Sequence, residues 1–225
     1  MSKQTRIYLN AIWSFDTETT SYTTWSTRKH KDGTEERYCS GKYAWAYIMD
    51  FCKKIGDTYF HYTFRKWEEV IDFLDELSST CSKNEYYVIY IHNLSFEFQF
   101  MKDWLDLTDV FARKSHNVLR CRYKHIEFRD SLALANLKLA TLAEDEKLPV
   151  QKATGDLKYN PLRHWSTPLD EKEMGYIYKD TEVVCEYVAK KLEEYGSFSE
   201  IPMTSTGEVR HLFRKELGTS LEKVH

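Results

Sequence analysis

The sequence predicts an α/β domain in which a mixed β-sheet is flanked by helices. Strand and helix patterns alternate through its first two-thirds, and the apolar run YYVIYIHN at 86–93 is typical of a strand buried on both faces. The composition agrees, because 225 residues with 42% apolar side chains and only 8 glycines and 4 prolines can bury a sizeable core.

Three β-rich segments suggest a meander before that buried strand; they span residues 7–16, 43–52 and 58–64. An Asp-Gly pair inside the polar stretch 27–38 indicates an exposed hairpin between the first two segments. Apolar residues at helical spacing then predict a helix over 67–78.

Further elements are predicted after the buried strand: a helix at 96–105, two short strands within 117–131, a short amphipathic helix at 134–146 and a long connection at 148–166. The best-marked helix follows, capped by Ser166 or Thr167, with Pro168 in its first turn and Gly196 as its stop. A last helix over 205–217 is expected to end at Gly218.

The resulting order is β-β-β-α-β-α followed by further helices. That is the order of a ribonuclease-H-like domain, although many α/β layouts share it. We expect this domain to span 1–200, with 23–42 as a hairpin insertion and 201–225 as a helical extension.

Composition excludes several classes of protein. No apolar run approaches the roughly 18–20 residues that cross a membrane, and the first residues lack a signal-peptide core, so the cytoplasm is the expected location. The five cysteines are scattered and never form CxxC, which argues against a disulfide framework and a structural zinc site. The net charge of −3 does not indicate a nucleic-acid-binding protein. Arg120, Arg122 and Lys124 nevertheless share one face of a predicted strand.

Carboxylates recur where ligands gather in α/β folds. Asp16 and Glu18 share one face at the end of the first strand, and Glu97 opens the helix that follows the buried strand. Tyr176 and Asp180 lie one turn apart on the long helix. Each group alone is also compatible with an ordinary solvated acid. Together they form a hard-oxygen set that suits two Mg²⁺ or Mn²⁺ ions acting on a phosphodiester.

These motifs resemble the DEDD class of proofreading exonucleases, tyrosine subtype. More closely, the chain resembles the N-terminal 3′→5′ exonuclease domain of protein-primed family B DNA polymerases from phages. The similarity lies in FDTETT at 15–20, HNLSFE at 92–97 and YIYKD at 176–180, in the family's order.

The resemblance implies roles for residues between and around the motifs. Lys152 would be a catalytic lysine beside the metal ligands Asp16, Glu18, Glu97 and Asp180. The residues implied to contact the DNA strand are Thr19, Asn93, Phe96, Phe100, Ser131, Leu132 and Tyr159. The basic face of Arg120, Arg122 and Lys124 would add contacts to backbone phosphates.

The implied activity is proofreading: removal of nucleoside 5′-monophosphates from the 3′ end of single-stranded DNA in a phage-infected bacterial cytoplasm, with a polymerase module in cis or in trans and without a membrane. Two departures keep alternatives open. Glu97 stands where the family usually has Asp, and the sequence stops at residue 225, where the family's polymerase module would be expected to begin. A catalytically weak single-strand-binding or partner-docking module, and an RNA-directed nuclease, therefore remain as alternatives.

Overall fold

The computed structural model describes residues 6–153 and 162–222, with side chains as far as residue 217. Its strands are β1 Ile7–Tyr8, β2 Ile12–Lys29, β3 Glu35–Ile55, β4 Thr58–Phe64, β5 Glu85–Ile91, β6 Thr108–Ala112, β7 Val118–Tyr123 and β8 Ile126–Asp130. Its helices are α1 Trp67–Ser79, α2 Leu94–Met101, α3 Ser131–Ala135, α4 Leu139–Asp145, α5 Glu171–Tyr195 and α6 Ser205–Glu222.

The strands form one mixed sheet in the order β4-β3-β2-β5-β8-β7-β6, with β1 beside β5. β2, β5 and β8 are parallel at its centre, and antiparallel hairpins extend it on both sides. The predicted α/β class with a mixed sheet flanked by helices is confirmed.

Alternation along β2 decides which side chains face which helices. Trp13 and Phe15 join the apolar core that packs against α1 and α2. Ser14 points the other way, and its hydroxyl donates a 2.7 Å hydrogen bond to the carbonyl of Thr181 on α5. Asp16 follows Ser14 at the strand's period of two, so its side chain also faces α5.

The first predicted strand is interrupted. Its residues form β1 and β2 separately, because the amide of Ala11 turns back to bond the carbonyl of Leu9. Both parts pair in parallel with β5, β1 at Glu85 and β2 at Ile89. Phe15, near the start of β2, thus lies beside Ile91 at the carboxyl end of β5.

Several helix boundaries differ from the predicted ones. α5 is capped by Asp170, whose side chain accepts from the Glu173 amide in a capping box, so the prediction of Ser166 or Thr167 is wrong. Gly196 does end α5, in a left-handed conformation. α2 ends at Met101, four residues earlier than predicted, and α6 continues through Gly218 to Glu222.

The helix predicted over 134–146 is two helices. Asn136 adopts a left-handed conformation and ends α3 before α4 begins. Strand β6 had no counterpart in the sequence pattern, because all five of its residues are exposed and carry no alternation.

The hairpin of β2 and β3 is the longest strand pair, registered from Ile12 opposite Lys54 to Lys29 opposite Glu35. Its outer half has no other strand beside it, and Gly33 lies in its end turn with φ 87°.

In the described part of the chain, no helix is both long and apolar enough to cross a membrane. Cysteines 39, 52, 81, 121 and 185 are unpaired, and Cys52, Cys121 and Cys185 are buried.

Candidate active site

The first two acids lie where β2 leaves the centre of the sheet. Phe15 opposite Ile91 is the last pair between β2 and β5, and Asp16 follows it immediately. Glu18 lies two residues further along and is only 8% exposed. A β-bulge after Glu18 leaves Tyr47 of β3 without a partner, and such bulges commonly re-aim side chains beside active sites.

Glu97 reaches the same place from α2. The turn between β5 and α2 depends on Asn93, which is left-handed with φ 83°. Asp130, at the end of β8, accepts hydrogen bonds from the amides of Asn93 and Leu132 and so fixes this turn. Glu97 is consequently buried, with 3% exposure, one turn into the helix.

The long helix α5 supplies the remaining groups. Asp180 is buried, and its Oδ2 lies 2.6 Å from the ammonium of Lys152. The same ammonium lies 5.4 Å from the ring centroid of Tyr176, one turn before Asp180. The Lys152 ammonium therefore lies close to both Tyr176 and Asp180 of α5, although Lys152 belongs to the irregular connection before that helix.

The carboxylates raise one another's pKa values, which shows that they form one electrostatic unit. Burial raises the pKa of Asp16 well above its usual range, and the charges of Glu97, Glu18 and Asp180 raise it further, while Lys152 opposes them. Burial and Asp180 raise the pKa of Glu18 to about 7 against the opposing charges of Lys152 and Arg163.

Burial is also the largest cause of the raised pKa values of Glu97 and Asp180. Burial raises the pKa of Glu97 to about 8; a bond from its own backbone amide opposes the shift, and the charges of Asp130 and Glu18 add to it. Burial also raises the pKa of Asp180, with Lys152 opposing through its charge and hydrogen bond. Clustered carboxylates with raised pKa values are typical of functional sites.

A cavity of about 170 Å³ lies among these groups and is lined partly by Asp16, Lys152, Asp180 and His92. Burial, reinforced by the charge of Lys152, lowers the pKa of His92 to about 4, so this imidazole is neutral at pH 7. Its Nδ1 lies 3.1 Å from the hydroxyl of Ser131. Lys152 is thus the cation that this cavity contains.

The donor set fits hard divalent cations. Oε2 of Glu97 and Oδ1 of Asp180 are buried without a hydrogen-bond partner, and carboxylate oxygens are what Mg²⁺ and Mn²⁺ prefer. Across residues 6–153 and 162–217, however, no three histidine, cysteine or acidic side chains are already arranged around one metal position. In place of a preformed coordination sphere, the Lys152 ammonium contacts the Asp180 carboxylate.

Other residues expected to contact a strand border the acids. Thr19 follows Glu18 directly after the bulge and is half-buried. Asn93 is exposed at the start of α2, and Phe96 is 43% exposed. The rings of Phe96 and Phe100 meet edge to face with centroids 5.3 Å apart, so together they form an aromatic surface beside Glu97.

Ser131 occupies a different position from the one expected. It is fully buried, and its hydroxyl donates to the carbonyl of Ile91 as well as contacting His92, so it supports the turn after β5 and offers no surface to a strand. Leu132 is half-buried next to it. Tyr159 lies outside the described residues.

The structure does not place Arg120, Arg122 and Lys124 beside the carboxylates of the candidate site. Arg120 lies mid-strand in β7, while Arg122 pairs with Asp109 towards the end of the strand that is remote from Asp16. The expectation of one shared face is wrong for Lys124, which turns out of the strand with φ 50°. Its ammonium contacts Asp75 on α1, the same carboxylate that the Tyr123 hydroxyl reaches.

Sequence reasoning missed several supporting groups. Arg163 is buried, pairs with Glu173 and lowers the pKa of Glu18, yet it lies in an irregular connection with no periodic pattern. Asp50 is the cross-strand partner of Asp16 and is fully buried. His61, Thr63 and Thr181 all contact the Asp50 carboxylate. A lone acid inside the apolar run YIMDFC at 47–52 is the signal that could have found it.

Solved structures with this fold are phage DNA polymerases. Phi29 DNA polymerase, in a ternary complex with primer-template DNA and incoming nucleotide substrates, aligns with a TM-score of 0.65 and 18% identity over 93% of this chain and 35% of its own. Phi29 DNA polymerase complexed with single-stranded DNA aligns with a TM-score of 0.55 and 16% identity over 78% of this chain and 32% of its own. At such identities the likeness establishes the fold.

Sequence similarity leads to the same kind of protein. The chain is 26% identical over 155 residues to a DNA polymerase of Streptococcus phage Cp-1, an alignment that covers 63% of this chain and 26% of the relative. No protein-family model matches. The chain thus corresponds to about a third or less of the length of these phage polymerases.

Proposed function

We propose that the protein is a two-metal-ion 3′→5′ exonuclease. It removes nucleoside 5′-monophosphates from the 3′ end of single-stranded DNA, as the proofreading part of a phage-type family B DNA polymerase. The observation that carries the proposal is that the charges of Glu97, Glu18 and Asp180, from α2, β2 and α5, all raise the pKa of Asp16. Lys152 lies beside Asp180 in the same site. The similarity to phage DNA polymerases supports it.

Asp16, Glu18, Glu97 and Asp180 would hold the two cations. When bound, Mg²⁺ or Mn²⁺ would activate water and neutralise charge on the leaving oxygen. The water oxygen forms a bond to the terminal phosphorus and the P–O3′ bond breaks, which releases a 5′-monophosphate and leaves a new 3′-hydroxyl.

Two side chains on the chain itself would assist this step. The Tyr176 hydroxyl, one turn from Asp180 on α5, orients the water for in-line attack. The Lys152 ammonium offsets negative charge that develops on the phosphoryl oxygens, a form of electrostatic stabilisation that needs a cation held in place beforehand.

Substrate recognition would depend on shape and stacking. Asn93 and Thr19 border the acids and can hydrogen-bond the terminal nucleotide, while Phe96 and Phe100 present ring surfaces. Stacking on aromatic side chains accepts every base and contributes about 1–3 kcal/mol per base. A proofreading enzyme needs this tolerance, because any base can be misincorporated.

The test is digestion of a 5′-labelled single strand by the purified protein with Mg²⁺ or Mn²⁺. We expect a ladder of shortened strands and nucleoside 5′-monophosphates as products. The ladder must disappear in the double variant Asp16→Ala, Glu18→Ala. A ladder that survives in this variant, or no ladder with either metal, would contradict the proposal.

A second candidate is a single-strand-binding or partner-docking module that keeps the fold with little catalysis. It is favoured by the ion pair of Lys152 with Asp180, which places an ammonium where a cation would bind. Binding of single strands that is independent of metal and occurs without cleavage would support this candidate. Calorimetric binding of two Mn²⁺ per chain, lost in Asp16→Ala, would count against it.

A further inference from the structure

A groove of about 690 Å³ opens beside the acids. We call it the aromatic groove and define it by Trp45, Lys66, Phe100, Trp104 and Trp165, all of which line it. Its volume is within the range of about 300–1,000 Å³ that ligand sites usually have.

Both walls of the aromatic groove start at carboxylates of the candidate active site. On α2, Glu97 and Phe96 lead to Phe100, and Trp104 follows directly after the helix. On the sheet, Trp45 is the cross-strand partner of Thr20, two residues beyond Glu18. A strand that ends among the acids would therefore pass between these walls.

The surfaces in the aromatic groove are ring faces. Trp104 and Trp165 are each 47% exposed, a large fraction for so large an aromatic side chain. Trp104 stacks nearly parallel to buried Trp67, with centroids 6.5 Å apart, which fixes its orientation from one side. With 47% of Trp104 exposed, a base could stack on the surface that remains.

The turn that carries Trp165 is fastened in place. Arg65 donates to the carbonyls of His164 and Thr167 at 3.0 and 2.8 Å, and to the carbonyl of Tyr47 on β3 at 2.7 Å. Lys66 places its ammonium 4.2 Å from the Trp165 ring centroid, which brings a cation close to where a backbone phosphate would pass. The groove is therefore built before any ligand arrives.

We propose that the aromatic groove binds the nucleotides on the 5′ side of the 3′-terminal residue, with bases stacked on Trp104 and Trp165. This inference rests on the proposed function, because it extends the path of the same single strand. Aromatic faces interleaved with cations are the usual means by which proteins hold single strands without reading their sequence. Glu68 and Asp103 also line the groove, so we expect phosphates on the Lys66 side.

The test measures the binding of 5′-labelled oligothymidylates by fluorescence anisotropy in chelator, where binding is separated from cleavage. Trp104→Ala and Trp165→Ala should each weaken binding of long strands by roughly 5- to 150-fold, the equivalent of one lost stack. The matched control is Trp25→Ala, since Trp25 is 53% exposed on the outer hairpin and does not line the groove. It should leave binding unchanged.

Strand length provides a second measurement. As the oligothymidylate is shortened from its 5′ end, the difference in affinity between wild type and each groove variant should disappear, because only the terminal nucleotide then remains bound. Circular dichroism must show wild-type melting for each variant. Groove variants that bind long strands as wild type does, or lose no more than Trp25→Ala, would overturn the inference.

Failure of this inference is distinguishable from failure of the proposed function. If binding depends on Trp104 and Trp165 but the protein never cleaves DNA, the proposal for the groove stands and the exonuclease proposal is rejected. If the groove variants produce a ladder and bind strands with unaltered affinity, the exonuclease proposal stands and the proposal for the groove is rejected.

Discussion

The ammonium of Lys152 lies 2.6 Å from Oδ2 of Asp180, so the cavity among the acids contains a cation supplied by the chain. Burial lowers the pKa of Lys152, but Asp180, Tyr176 and Asp16 together raise it above its usual value. The lysine therefore stays charged, and its charge lowers the pKa values of Asp16, Glu18 and Asp180.

Lys152→Ala separates the two effects of this ammonium. We expect cleavage to slow by about 10²–10³-fold at saturating metal, as when one preorganised donor to a developing charge is lost. Affinity for Mn²⁺, measured by calorimetry, should instead rise, because Asp180 loses its competing partner. Lys152→Arg is the control and should retain part of the activity. A variant with wild-type cleavage rate would show that Lys152 only stabilises the acids.

Asp16 is the carboxylate most closely coupled to the others, since Glu97, Glu18 and Asp180 all raise its pKa. Asp16→Asn should therefore remove high-affinity Mn²⁺ binding in calorimetry and reduce cleavage by about 10³-fold or more, the equivalent of several kcal/mol of lost charge stabilisation. The matched control is Asp72→Asn on the exposed side of α1. Unaltered Mn²⁺ stoichiometry in Asp16→Asn would contradict the proposed ligand set.

Glu97 makes the metal-free protein sensitive to pH. Its pKa is about 8 in the folded chain against 4.5 for an unperturbed glutamate, so the folded state binds more protons than the unfolded state between these values. Stability must therefore fall as pH rises from about 4.5 to 8, by about 1.4 kcal/mol for each pKa unit of difference.

Glu97→Gln should remove this contribution, because an amide cannot ionise. In chelator, we expect the variant to melt higher than wild type at pH 8 and at the same temperature below pH 4.5. Glu76→Gln, on the exposed side of α1, should show no such pH-dependent difference. Equal melting curves for Glu97→Gln and wild type at both pH values would show that burial does not raise the pKa of Glu97.

The sequence could predict the sheet and the acids because both follow local rules. Alternation along β2 places Asp16 and Glu18 on one face, and the period of α5 aligns Tyr176 with Asp180. Lys152 could be placed only by resemblance, because it lies in an irregular connection where no period constrains the direction of a side chain.

The basic face shows why strand alternation alone was insufficient. Alternation holds only while the backbone stays extended, and Lys124 leaves the strand in a left-handed turn. Ser131 shows a second limit, since a sequence motif does not reveal that the hydroxyl is satisfied by the Ile91 carbonyl. Both depend on tertiary partners far away along the chain.

Tyr176 allows a specific test of catalysis, because the proposed reaction uses only the hydroxyl group of its side chain. Tyr176→Phe should keep the ring beside Lys152 and leave single-strand affinity in chelator unchanged. We expect kcat to fall by about 10²-fold, the usual cost of losing the orientation of a reacting group, with KM nearly constant. Tyr178→Phe is the matched control two residues along α5, where the phenol stacks on His61 instead of bordering the acids. An equal loss of kcat in both variants would show a general effect on α5 and would refute the assigned role of Tyr176.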